Sequence, residues 1–268
     1  MAIGRVWLSL VLVCLGCQNL VSQESPEPGA PAKLLWEKGQ EAMRQGKPDD
    51  ALDFYGRSLA TDPGFTRNHL SIAAAYLEKG DEIAALPPLA RYVRAHPDQF
   101  LVRLHLAELL VRIRHLDAAR TEFEECVAGA QDKGDCAASQ LIHCHAQLME
   151  IAEDDEDEYH EHLHRGIGLY LLGRQRSALP NPDGELSSEE LLCKSAGELT
   201  LAHLDRPDEA RPSWYLHEVW SLLAQQQTAR RFLQKAEESA PFTYLTAAEK
   251  RNLRLACQCQ CMNRSYRP

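Results

Sequence analysis

The sequence predicts an all-α protein built of antiparallel helix pairs, and three observations predict it. Ala51, Ala85 and Ala119 stand 34 residues apart, and the residues around them recur at the same interval. Gly46 and Gly80 fall in that register between the halves of a unit, while Pro63 and Pro97 close the first two units. Each unit therefore reads helix, turn, helix. Beyond residue 130 the apolar residues recur at spacings of three and four, the period of an amphipathic helix.

Several columns share the repeat. Gly39, Ala73 and Ala107 lie twelve residues before the alanines, and Tyr55, Leu89 and Phe123 lie four after them. A small residue at a crossing lets two helices approach to the ~8–10 Å of normal packing, and the large residue one turn later fills the space beside it. In the third unit Gln131 stands where the first two have proline.

These columns resemble the tetratricopeptide repeat, which pairs a small residue in its first helix with an alanine, an aromatic residue and a terminal proline in its second. Residues 32–130 match as three units, although the family's early tryptophan column holds Leu35, His69 and Arg103. A weaker copy runs through Leu216, Trp220, Ala229, Leu233, Ala236 and Pro241. The resemblance implies a right-handed superhelical solenoid whose first helices line a concave groove for a protein or peptide partner. One residue beyond the core columns, that face would hold Trp36, Gln40 and Arg44, then Leu70 and Glu78, then Glu108 and Arg112. The charged members must meet solvent or a partner. For the apolar ones, packing against the next unit is an equal alternative. Trp36, Gln40, Leu70 and Ala74 occupy the places of the lysine and asparagine that clamp a terminal carboxylate in some family members, so chaperone-tail recognition is not expected.

Composition sets bounds on function. The chain of 268 residues is 44% hydrophobic and 25% charged, ordinary for a globular protein, and its formal charge of −10 argues against nucleic acid, which needs a clustered basic surface. Arg5, then a largely apolar run of eleven residues from Val6 to Gly16, then Cys17, reads as an export signal too short to span a ~30 Å bilayer core. Cys14-Leu15-Gly16-Cys17 resembles a bacterial lipobox, with Cys14 where leucine is usual. The resemblance implies acylation of Cys17, a membrane anchor and a cell-envelope location; the alternative is a plain cleaved signal over residues 1–17. Residues 18–31, a polar run with three prolines, read as a flexible linker.

Seven cysteines follow Cys17, an odd number that leaves at least one thiol unpaired. Cys126 and Cys136 are near enough in sequence to pair, and Cys257-x-Cys259-x-Cys261 lacks the second pair of a zinc ribbon. Residues 137–173 read as a degenerate helical pair, residues 187–259 as further repeat-like helices, and 260–268 as a tail. Ser187 with Glu190, and Thr246 with Glu249, have the spacing of capping boxes.

One motif carries a second function class. His160-Glu161-His162-Leu163-His164 spells H-E-x-x-H, which on a helix sets His160 and His164 one turn apart to hold zinc, with Glu161 as base and Glu185, Glu189 or Glu190 as a third ligand. The competing reading is a satisfied, partly exposed histidine cluster. The segment favours it, being rich in histidine, flanked by the acidic run Glu153–Glu158 and by Arg165, and without a strand to cradle a substrate. His143, Cys144 and His145 lie ~100° apart around a helix and do not readily share an ion. The expectation is therefore a non-catalytic interaction scaffold without a cofactor, with a zinc metallopeptidase as the alternative.

Overall fold

A computed structural model describes residues 29–130, 138–177 and 186–265, with side chains as far as residue 259. Cys14, Cys17, Cys136 and Glu185 lie outside the described residues. The chain divides into two compact units between Ala119 and Arg120, inside the stretch read as the third repeat. No described helix is long and apolar enough to cross a membrane.

The first unit holds α1 (Ala30–Arg44), α2 (Pro48–Thr61), α3 (Arg67–Glu78), α4 (Glu82–Ala95) and α5 (Phe100–Arg112), each packed on the next in sequence. The small-residue columns sit at the crossings as the spacing predicts. A methyl group added at Gly39 would come within 2.4 Å of the Tyr55 ring. Ala51 and Ala85 are fully buried, and Ala73, Tyr55 and Leu89 nearly so. A buried polar clip joins three helices: Ser58 Oγ donates to the Ala32 carbonyl and accepts from Asn68 Nδ2, both at 2.7 Å.

Helix α6 (Leu116–Ala130) straddles the division. The second unit continues with α7 (Ala138–Asp154), α8 (Glu158–Ser177), α9 (Ser188–Asp205), α10 (Ala210–Leu222), α11 (Gln226–Ser239) and α12 (Ala247–Ser265). From α7 to α12 each helix again packs on its successor. Leu163, Ile167, Leu199, Trp214, Leu216 and Leu233 belong to one core. Both predicted capping boxes form, Ser187 with Glu190 and Thr246 with Glu249. Helix α12 runs to Ser265 rather than ending at residue 259, because no glycine or proline interrupts the sequence before Pro268.

A single turn geometry recurs between paired helices. Gly46 and Gly80 are left-handed, and so are Arg114, Glu156 and Ala224, with φ of 61°, 56° and 58°. At each, the following amide donates to the carbonyl five residues back, as from Lys47 to Ala42, His115 to Leu110, Asp157 to Ala152 and Gln225 to Trp220, all at 2.9 Å. This is the Schellman closure that satisfies the last carbonyls of a helix. Arg114 keeps the 34-residue interval from Gly80, while Glu156 follows 42 residues later, which locates the insertion between residues 114 and 156.

Candidate functional site

In the first unit, α1 and α3 are the first helices of successive repeats, and they meet around one hydroxyl. Ser71 Oγ accepts from Trp36 Nε1 at 2.8 Å and from Gln40 Nε2 at 3.2 Å. Phe65 packs its edge on the Trp36 ring, with centroids 5.8 Å apart, and the Arg67 guanidinium lies 5.9 Å from that ring. Burial, only partly offset by the hydrogen bond with Ser71, pushes the Tyr55 phenol up to about 12, so this hydroxyl stays protonated beneath the face.

Of the positions the sequence singles out, the structure brings Trp36 and Gln40 together and adds Arg67 and Ser71, which no repeat column marks. Leu70 is half-buried, and Glu78 is exposed. Arg44 pairs with Glu41 of its own helix at 2.6 Å. Glu108 meets His105 at 3.2 Å, and Arg112 reaches Glu82 of α4 at 2.9 Å, so both are engaged within the unit. Sequence spacing placed these residues on a face but carried no sign of which neighbour each charge would choose.

In the second unit the H-E-x-x-H residues have separate partners. Asp157 caps α8: its carboxylate accepts from the His160 backbone amide at 3.2 Å and meets His160 Nδ1 at 2.6 Å. Burial works against that carboxylate's charge, but the contacts with His160 outweigh it and hold Asp157 below the usual range. Glu161 accepts from Arg165 at 2.5 Å, and His162 meets Glu198 of α9 at 2.7 Å. His164 Nδ1 lies 3.0 Å from His145 Nδ1 of α7, with both rings buried. The partly exposed cluster expected from sequence is thus corrected at its inner end, because α7 covers His164. Burial, then the positive charge of Arg211, pushes His145 down to about 3. Burial and the His145 neighbour hold His164 well below its ordinary value.

Among the described residues no group of three or more histidine, cysteine or acidic side chains is placed to hold a metal. Glu190 serves the α9 cap, and Glu189 is exposed. Most of the acidic run is exposed, as a solvated helix start should be, and Asp155 pairs with Arg120.

Beside these histidines lies a cavity of about 280 Å³, walled by Leu148 and Leu163 and by the buried Tyr159, His164, Arg211 and Thr246. Arg211 Nε donates to Glu249 Oε1 at 2.9 Å; the same oxygen accepts from Tyr215 at 2.8 Å, and Oε2 accepts from the Thr246 amide at 2.8 Å. The helix-capping carboxylate is thereby also the counterion of a buried guanidinium.

The class the fold defines is an all-α helical-repeat protein whose hairpins follow the tetratricopeptide pattern. No protein-family model matches the chain, and no curated protein does. Among solved structures it is similar to residues 41 to the end of MamA from Desulfovibrio magneticus RS-1, at 18% identity over 80% of this chain and 97% of that one, with a TM-score of 0.36. It is also similar to YrrB, described as a TPR protein with an unusual peptide-binding site, at 15% identity over 79% and 87% of the two chains, with a TM-score of 0.34. A thermophilic TPR protein of Thermus thermophilus, TTC0263, matches at 17% identity over 86% and 99%, with a TM-score of 0.33.

Proposed function

We propose that this chain is a non-catalytic scaffold that holds a protein or peptide partner on the first-helix face of its opening repeats. The observation that carries this reading is the Trp36, Gln40, Ser71 and Arg67 cluster. It presents a half-exposed indole and amide and an exposed guanidinium across two adjacent first helices, and tryptophan and arginine are the residue types that anchor interfaces. Exposed Glu78 and Arg44 extend the face with charge of both signs.

The reading further holds that Arg5 to Cys17 export the chain and that an acylated Cys17 ties it to a membrane of the cell envelope, with residues 18–31 as tether. Incorporation of radiolabelled palmitate by the full chain, abolished by Cys17→Ser, tests the anchor. For the partner, the full chain is photocrosslinked in an envelope lysate. The expected result is a discrete adduct that is weakened at least tenfold by Trp36→Ala and by Arg67→Glu, about the loss of one interface anchor. Arg67 is exposed, so its variant keeps the fold. An adduct pattern unchanged by both variants would rule out this face.

A further inference from the structure

The repeat scaffold does not account for the donors of Arg211. Its residue is only 8% exposed and lines the second unit's cavity, yet among the described residues its one hydrogen bond runs from Nε to Glu249. A guanidinium carries five N–H donors in a rigid fork and has no acceptor. Its terminal nitrogens have no protein partner among the described residues and keep some accessible surface, so the fork offers two cationic N–H groups to whatever fills the cavity.

His164 supplies a second donor at the same wall. The two Nδ1 atoms of His164 and His145 share one proton across 3.0 Å, and His145 Nε2 is buried with no partner. A buried orphan acceptor is tolerated more readily than a buried orphan N–H. The favoured arrangement therefore has His145 Nδ1–H donating to His164 Nδ1, which puts the His164 proton on Nε2.

Two carboxylates line this cavity as well. Glu124 and Glu209 have no ion pair or hydrogen bond from their side chains among the described residues, whereas Arg206 beside them is taken up by Asp157 at 3.6 Å and by the face of Tyr159 at 4.1 Å. Glu124 is exposed and Glu209 half-exposed, so they stand at the mouth while Arg211 stands deeper. A simple anion drawn to Arg211 must pass two negative charges. A ligand with an ammonium one or two bonds from its carboxylate satisfies both ends. The cavity of about 280 Å³ has room for a small organic ligand, and Val127, Leu148 and Leu163 add an apolar wall.

We propose that this cavity binds a free amino-acid zwitterion, with its carboxylate on Arg211 and His164, its ammonium toward Glu124 and Glu209, and its side chain along Val127, Leu148 and Leu163. The site is independent of the partner face in the first unit.

Isothermal titration of the full chain with each of the common L-amino acids, and with acetate and methylamine as half-ligands, tests it. At least one amino acid should bind saturably and at least tenfold tighter than either half-ligand, since each charged contact is worth about tenfold or more. Glu209→Gln should weaken that amino acid about tenfold and leave acetate unweakened. Arg211→Gln alone strands Glu249 in the core, so the double variant Arg211→Gln/Glu249→Gln, which removes both charges, is compared beside it and should abolish binding. No saturable amino acid, acetate equal to the best amino acid, or a double variant that folds and still binds would each overturn the proposal.

Discussion

The two helix pairs that lie wholly in the first unit turn on glycine, while those of the second turn on Glu156 and Ala224, yet all close through the same six-residue backbone bond, as does the turn at Arg114 by the division. An L-residue in the left-handed region is disfavoured by about 1–2 kcal/mol relative to its right-handed form. The second unit therefore carries that local penalty at both of its turns, held in place by its packing, whereas the first unit carries it only at Arg114, beside the division. The close crossings differ too. In the first unit Gly39 admits Tyr55 within one hairpin, α1 with α2. In the second, Gly166 and Gly173 of α8 admit Leu199 and Leu192 of α9, the helix that follows the pair. The lesson is that a repeat is defined by its turn and crossing geometry, and that different residues at different places can meet the same geometry.

The largest effect that would test this contrast lies at the α8–α9 crossing. Leu199→Ala should cost about 2–5 kcal/mol, because the side chain is fully buried. A methyl at Gly166 meets Leu199 Cγ at 2.7 Å, so Gly166→Ala should cost about 1–3 kcal/mol by overpacking. The double variant should lose less than the sum in urea denaturation, and strict additivity would show that the two do not share the crossing. In the first unit Ala85→Leu should cost a similar ~1–3 kcal/mol.

The next effect separates the units by pH. His145 and His164 are neutral in the fold, and an unfolded histidine takes up its proton near 6.5, so the unfolded chain binds more protons below that value. Their contribution to stability is full above pH 6.5 and is lost as pH falls from 6.5 toward about 3, at up to about 1.4 kcal/mol per pH unit for each ring. Hydrogen exchange at pH 7.5 and 5.5 should show α7 and α8, with two fully buried rings, losing more protection than α3, where burial lowers only the half-buried His69. Replacing both histidines with leucine should flatten that dependence.

A smaller effect tests the turns directly. Arg114→Gly, Glu156→Gly and Ala224→Gly should each stabilise by about 0.5–1 kcal/mol, whereas Gly46→Ala and Gly80→Ala should destabilise by about 1 kcal/mol. Thermal melts that ranked all five positions alike would mean that the turn is not the difference between the units.

The smallest expected change is Glu161→Gln. It removes a partly exposed pair with Arg165 and should move stability by less than about 1 kcal/mol, with partner crosslinking unaltered. About one zinc per chain, together with casein cleavage abolished by this substitution, would instead establish the metallopeptidase alternative.

The periodic part of this protein was legible in its sequence. The small residues at Gly39, Ala51 and Ala85, the turns at Gly46 and Gly80 and the capping boxes at Ser187 and Thr246 are local or regularly spaced requirements of backbone geometry, so the residue types announce them. The left-handed turns at Arg114, Glu156 and Ala224 were not announced, since nothing in those residue types asks for positive φ and only the surrounding packing imposes it. The same holds for side-chain chemistry. Spacing set His160 and His164 on one helix, but the partner of each imidazole came from Asp157 at the helix start and from His145 on another helix. Arg211 and Glu249 stand 38 residues apart with no repeat linking them. Periodicity is written in short stretches of chain, and which charge faces which cavity is decided only when distant helices pack.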